Sequence, residues 1–216
     1  MKQLPIIGQT ASGKSDLAIK IAKKIDAYVL SIDSLSIYKE IDVVSAKPSK
    51  EELESVKHFG INLLYPDEHF SVEIFIGLYQ EVVDKCLRDD KNLIIVGGTS
   101  FYLKSLLQGL SVLPNMTDEI RRSVNSQLMD LESCYNFLNY VDPNYMRKIS
   151  PHDSYRIEKA LLIYEASSLP PTEWFKINPP KPIIENLDIF NIDVDRGILR
   201  KRIHLCTPKR LETGLT

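Results

Sequence analysis

Eight consecutive residues near the N-terminus, Gly8-Gln9-Thr10-Ala11-Ser12-Gly13-Lys14-Ser15, constrain this chain more than any other stretch. They match G-x-x-x-x-G-K-[ST], a loop in which two glycines let the backbone wrap until its amides point inward at phosphate oxygens. The apolar run Gln3 to Ile7 leads into the loop as a short buried strand. Asp16 to Lys24 leaves it as a helix, with Leu17, Ile21 and Ile25 at helical spacing. A helix starting there adds its positive dipole end to the site. Lys14 supplies a point charge, and the Ser15 hydroxyl can ligate Mg²⁺ beside phosphate oxygens. Gly8, Gln9, Thr10, Ala11, Ser12, Gly13, Lys14 and Ser15 are therefore the candidate diphosphate- or nucleotide-binding residues, with Ser15 the candidate metal ligand.

A loop of this kind needs a sheet behind it, and the sequence supplies one. Tyr28 to Ile32 reads as a second strand ending at Asp33, Ile61 to Leu64 as a weaker third, and Leu93 to Val96 as a fully apolar strand ending in Gly97-Gly98. Ser71 to Leu87 is an amphipathic helix with Val72, Phe75, Ile76, Tyr79, Val82, Val83 and Cys86 on one face, and another helix runs from about Thr99 to Leu107. Strands that are apolar throughout and alternate with helices indicate a parallel sheet covered on both faces. Ligands of such sheets sit at the C-terminal ends of the strands. Gly8, Asp33 and Gly97 each lie just past a strand, so their loops are expected to converge.

After Leu113-Pro114 the pattern changes. Residues 117 to 167 read as several short helices, with Asp142-Pro143 and Asp153 as start signals. Leu169 to Pro182 carries five prolines and reads as a connector, and Ile189 to Ile192 as a strand returning to the sheet, followed by a basic helix. The fold expected is α/β, a P-loop NTPase-like core with a parallel sheet over residues 1–114 and 183–216, interrupted by a small helical insertion domain over 115–182.

Composition removes several function classes. Three cysteines without a CxxC pair argue against a disulfide framework or structural zinc, and for a reducing, cytoplasmic setting. No apolar run of about 18 residues exists to span a membrane. The net charge of −2 means that any nucleic-acid contact must come from local patches, of which residues 196–216, with six Lys/Arg against one Glu, are the most basic.

A phosphate loop names a ligand class rather than a reaction. Enzymes that move a γ-phosphoryl commonly hold Mg²⁺ with an acid ending a later strand. Here the apolar strand ends in Gly97-Gly98-Thr99, and the remaining acid at a strand end is Asp33. Asp33 can be a base, or simply a helix cap, since Asp-Ser after a strand is a common capping sequence. Three readings are open at this point. They are a small-molecule kinase using ATP, a transferase acting on free adenine nucleotides, and a non-catalytic RNA-binding remnant.

Taken together, the phosphate loop, Asp33-Ser34-Leu35-Ser36-Ile37-Tyr38, Ala46-Lys47-Pro48, Gly97 to Lys104, Leu107-Gln108-Gly109-Leu110 and Asp153-Ser154-Tyr155-Arg156-Ile157 resemble the tRNA dimethylallyltransferases, over nearly the whole chain to about Ile203. The resemblance implies a P-loop core whose helical insert grips the anticodon stem–loop. It further implies transfer of a dimethylallyl group from dimethylallyl diphosphate to N6 of the adenosine 3′ of the anticodon, by a monomer using Mg²⁺. On that basis Asp33 accepts the proton of the attacking amine and Thr99 donates a hydrogen bond to the diphosphate. Asp33, Ser34, Leu35, Ser36, Thr99, Arg121, Tyr155, Arg156 and Lys159 contact tRNA.

This sequence departs from the family pattern at several points. Gln9 stands where proline is usual, Ser36 where a base-reading glutamine is usual, and Phe59 and Asn62 where histidine and aspartate are usual; Ser100 replaces glycine. Cys206 occupies the place of a second arginine that helps hold the diphosphate, and a thiol cannot supply a fixed guanidinium charge. Family members also continue beyond this chain's last residue. The combined expectation is a chain cut short at its C-terminus with weak or no transferase activity, and with Pro208 interrupting its last helix.

Overall fold

The structure, a computed structural model, describes residues 1–41, 47–98 and 100–212, and from Leu205 onward it describes backbone alone. The chain divides into two compact units. One holds Met1–Leu107 with the stretch from Ile183 on, and the other holds Gln108–Pro182.

The first unit is built on five parallel strands, β1 (Gln3–Gly8), β2 (Ala27–Ser31), β3 (His58–Phe59), β4 (Asn92–Gly97) and β5 (Phe190–Ile192), in the order β3-β2-β4-β1-β5. The period of two along a strand sorts the side chains onto two faces. Leu30, Ile32, Leu93 and Ile95 pack with Phe75, Tyr79, Val82 and Cys86 of α3 (Val72–Arg88) and with Tyr102, Leu103 and Leu106 of α4 (Ser100–Gln108). Their neighbours Val29, Ile94 and Val96 pack on the other face with Ala18 and Ala22 of α1 (Lys14–Ile25). Small residues on α1 let that helix lie close to the sheet. Phe75 and Leu106 are each at most 1% exposed, and burial of a side chain this size contributes about 1.5–3 kcal/mol. The short helix α2 (Lys50–Ser55) starts with a full capping box, Ser49 and Glu52 satisfying one another's backbone amides.

Two sequence expectations are corrected in this unit. The third strand is His58–Phe59, which pairs with Val29–Leu30, rather than Ile61 to Leu64. The apolar stretch from Ile61 makes a single bridge, Leu64 with Tyr38, beyond the end of the regular sheet. The last helix, α10 (Arg196–Glu212), is continuous past Pro208. A proline forgoes one backbone hydrogen bond, but its own φ is that of a helix.

The second unit is helical throughout its regular structure: α5 (Asp118–Gln127), α6 (Leu131–Val141), α7 (Pro143–Met146), α8 (Ser154–Ser167) and α9 (Pro171–Ile177). The first four start with side-chain caps from Thr117, Asp130, Asp142 and Asp153. Asp142 is buried and caps α7 while also accepting from the Thr172 amide and hydroxyl at 2.7 and 2.9 Å, so one carboxylate orders two helix starts. The core is Val124, Cys134, Leu138, Met146, Ile157, Ala160 and Leu161. Helix α9 corrects the reading of residues 169–182 as a plain connector. Pro170-Pro171 starts a helix there, with Pro171 at the first position, where its missing N–H costs nothing.

One polar cluster tests the first unit's packing. Tyr28 Oη donates to Asp89 Oδ2 at 2.6 Å, and Lys85 Nζ reaches the same oxygen at 2.8 Å. The hydrogen bond to Asp89, assisted by burial, pushes the Tyr28 phenol up to about 12. An unfolded tyrosine loses its proton near pH 10. The folded form therefore keeps a proton that the unfolded form releases, and this stabilisation is complete below about pH 10 and lost as pH rises toward 12. Tyr28→Phe is expected to lower stability by about 1 kcal/mol at neutral pH. Urea midpoints of the two proteins should converge on raising the pH from about 8 to about 11.

Candidate active site

The residues past β1, β2 and β4 meet at the C-terminal edge of the sheet, and two glycines make the meeting possible. A Cβ on Gly97 would lie 2.6 Å from Ile32 Cγ1, 3.1 Å from the Ile32 carbonyl carbon and 3.2 Å from the Asp33 amide nitrogen. A Cβ on Gly8 would lie 2.9 Å from Ser12 Oγ and 3.2 Å from the Ile192 carbonyl oxygen. Gly98 in turn sits beside the Gly8 carbonyl, which is 3.6 Å from where its Cβ would be.

Within the phosphate loop, Gly13 at φ +86 is the residue before α1, and Ala11 at φ +64 is also left-handed. Gly8, Ala11, Lys14 and Ser15 are partly buried, whereas Gln9, Thr10 and Gly13 are exposed. Ser12 is 7% exposed, and its hydroxyl has no hydrogen-bond partner among the described residues. Polar groups buried this deeply are normally satisfied, so an oxygen-rich ligand in the loop is the natural partner. Lys14 Nζ rests on the Gln9 carbonyl at 3.3 Å. Burial pulls the Lys14 ammonium below the ordinary lysine range, and the Asp33 carboxylate offsets part of that shift. Asp33 and Lys14 thus share one electrostatic neighbourhood although 19 positions separate them.

Asp33 is partly buried, and its Oδ1 accepts the Leu35 amide at 2.9 Å. Residues 34–41 form turns and no helix, so the bond closes an Asx turn rather than capping a helix. Ser34 and Leu35 beside it are exposed, Leu35 at 44%. Ser36 is 5% exposed, which leaves it beneath the surface that Ser34 and Leu35 form. Thr99 lies outside the described residues. In the helical unit, Arg121 is exposed on α5 and Tyr155 is 67% exposed on the first turn of α8. Arg156 pairs with Asp153 at 2.9 Å, and Lys159 lies 5.2 Å from the Tyr155 ring centroid.

Arg202 on α10 is a residue of this site that sequence motifs did not single out. Its Nη1 donates to the Ala11 carbonyl at 3.1 Å and would lie 3.9 Å from a Cβ at Gly13. Asp195, just before the helix that carries it, accepts the Gly197 and Ile198 amides on its carboxylate. The available signals were the basic composition of residues 196–216 and the place of Arg202 four residues before Cys206, where the family resemblance puts a second, diphosphate-holding arginine.

The donor set fits a magnesium ion that arrives with its ligand. Ser15 offers one hard, neutral oxygen at the start of α1, and among the described residues no group of three or more His, Cys, Asp and Glu could hold a metal. Mg²⁺ commonly binds through one or two protein oxygens plus substrate phosphates and water rather than in a full protein cage. Among the described residues no helix is long and apolar enough to cross a membrane.

Comparison with known proteins follows the same line. Residues 36–216 match the family model described as IPP transferase. The tRNA dimethylallyltransferase of Sulfurimonas denitrificans is 65% identical over 215 residues, covering 100% of this chain and 72% of its own. That of a Sulfurovum species is 55% identical, again over 72% of the relative. Among solved structures, a eukaryotic dimethylallyltransferase acting on tRNA superposes with a TM-score of 0.83 at 27% identity over 99% of this chain. This chain spans 54% of that enzyme. The tRNA isopentenylpyrophosphate transferase of Bacillus halodurans gives a TM-score of 0.64 at 25% identity.

Proposed function

This chain belongs to the IPP transferase family, and on that premise we propose that it transfers a dimethylallyl group from dimethylallyl diphosphate to N6 of the adenosine 3′ of the anticodon in tRNA. The observation that carries the reading is a phosphate loop with a buried hydroxyl that has no partner among the described residues, set in the same electrostatic neighbourhood as a strand-end carboxylate. A phosphoryl-transfer enzyme would want an acid at the end of β4, where this chain has Gly97-Gly98.

In this mechanism the diphosphate lies in the loop Gly8–Ser15. Backbone amides, the Ser12 hydroxyl, Lys14 and Arg202 face its oxygens, and charge developing on the leaving group meets donors already in place. Ser15 would hold Mg²⁺, which when bound neutralises part of that charge. The adenine leaves its stack and presents N6 at the crevice. The nitrogen lone pair attacks the allylic carbon, the carbon–oxygen bond breaks, and its electrons leave with the diphosphate. Asp33 takes the proton released from nitrogen, with Thr99 assisting at the diphosphate. Ser34 and Leu35 border the base, and the buried Ser36 supports them from beneath. Arg121, Tyr155, Arg156 and Lys159 give the helical unit positive charge and an exposed ring, suited to phosphate contact and stacking on the stem–loop. The reaction belongs in the cytoplasm, with tRNA.

Labelled dimethylallyl diphosphate and an anticodon stem–loop with adenosine 3′ of the anticodon test this directly. Label is expected on that adenosine and on no stem–loop carrying guanosine there. Transfer of phosphate from ATP to a small acceptor, without prenylation, would overturn the reading.

A further inference from the structure

We propose that Lys47 is a positioning residue for the RNA acceptor, clamping the segment Asp33–Tyr38 to the chain at Asn62 and so fixing the groups that meet the target base. The inference rests on the transfer reaction proposed above. Past β2 the chain enters neither a helix nor a named strand before Glu40, so no regular element holds the exposed Ser34 and Leu35 beside Asp33. What holds the far end of this segment is a short parallel pairing outside the sheet. The Asn62 amide donates to the Ser36 carbonyl at 3.1 Å, Leu63 to Ile37 at 2.7 Å, and Lys39 back to Leu64 at 2.7 Å.

Lys47 ties the two sides together. Its ammonium donates to the Tyr38 carbonyl at 2.6 Å on one side and to Asn62 Oδ1 at 2.6 Å on the other. Both are charge-assisted bonds, the strong kind. The Asn62 side of the pairing is conformationally demanding. Asn62 sits at φ +55 and Gly60 at φ +74, where a Cβ on Gly60 would lie 2.5 Å from the Ser31 carbonyl oxygen. Left-handed residues persist where their surroundings over-determine them, and Lys47 holds the Asn62 side chain itself. The phosphate loop is supported separately, through Gly8 against Ile192 and Arg202 on Ala11. The clamp therefore bears on the acceptor and not on the diphosphate.

The test uses Lys47→Met, which keeps the side chain's length and apolar stem. Amide exchange at Lys39, Asn62, Leu63 and Leu64 is expected to quicken. The stem–loop Kd and KM should each rise about tenfold, the loss of roughly one charge-assisted hydrogen bond, while the Kd for dimethylallyl diphosphate stays within about twofold of wild type. Asn62→Asp keeps an acceptor and should track wild type, whereas Asn62→Leu should reproduce Lys47→Met. Unchanged exchange at those four amides, or equal loss of affinity for RNA and diphosphate, overturns the proposal. A wild-type chain that transfers no prenyl group overturns the reaction instead. Exchange and direct binding do not depend on turnover and still decide the clamp.

Discussion

Asp33→Asn is expected to lower the rate of prenyl transfer by about 10²- to 10⁴-fold, the usual loss when a general base is removed, which corresponds to about 2.7–5.5 kcal/mol of barrier. Asparagine is the informative substitution because its Oδ1 can still accept the Leu35 amide that Asp33 holds at 2.9 Å. The Asx turn survives and only the basic oxygen is lost, so the stem–loop Kd should hold within about threefold. Asp33→Ala removes the turn's acceptor as well and should raise that Kd further. A second readout follows from Lys14. Burial lowers its affinity for a proton and the Asp33 charge opposes the fall, so Asp33→Asn removes the opposing charge and Lys14 deprotonates at lower pH than in wild type. The alkaline loss of diphosphate affinity should move to lower pH in Asp33→Asn, with binding near neutrality largely retained. Single-turnover rates and diphosphate binding across pH separate the two effects. A variant with wild-type single-turnover rates would remove Asp33 from the proton transfer.

The frame of the sheet unit is legible in the chain because its elements are periodic. The apolar face of α3 stands out at a spacing of 3.6, β4 stands out as an unbroken apolar run, and the phosphate loop announces β1 and α1 on either side of it. The helical unit is legible through its caps, since Asp142 and Asp153 do in the structure what their positions in sequence suggest. Less legible are features that depend on what an apolar or proline-rich segment meets. Ile61 to Leu64 has a strand's composition, yet it pairs with residues 36–39 past the sheet, while His58-Phe59 takes the place beside β2. Pro170-Pro171 looks like a break and acts as a helix start. The same limit applies to the site. Asp33 lies at a strand end, where topology brings ligands, so its position alone nominates it. Arg202 reaches Ala11 across 191 positions of sequence, and Lys47 acts through a backbone carbonyl and an amide. Neither contact leaves a local pattern to read.

Two alanines in place of glycines should have opposite consequences, and the difference isolates what holds Asp33. Gly77 lies inside α3 with nothing among the described residues within 4 Å of where a Cβ would be. Gly77→Ala should therefore raise stability by about 0.5–1 kcal/mol, because alanine has less backbone freedom to lose in a helix. At Gly97 the same added carbon falls 2.6 Å from Ile32 Cγ1, and Ile32 is 1% exposed and cannot swing aside. It also falls 3.2 Å from the Asp33 amide nitrogen, so relief of the clash has to pass through the chain that carries the carboxylate. Overpacking of this kind costs about 1–3 kcal/mol, while displacing a catalytic group by an ångström can cost about 10²-fold in rate. Gly97→Ala should thus fold with a lowered melting temperature and lose about two orders of magnitude in transfer. Diphosphate affinity should fall much less, since Gly8 and Arg202 brace the phosphate loop from the β5 side. Adding Ile32→Ala removes the closest contact but leaves the backbone ones, and so should recover part of the rate while sacrificing core packing. If Gly97→Ala transfers at the wild-type rate, the position of Asp33 does not depend on the close approach of β4 to the end of β2.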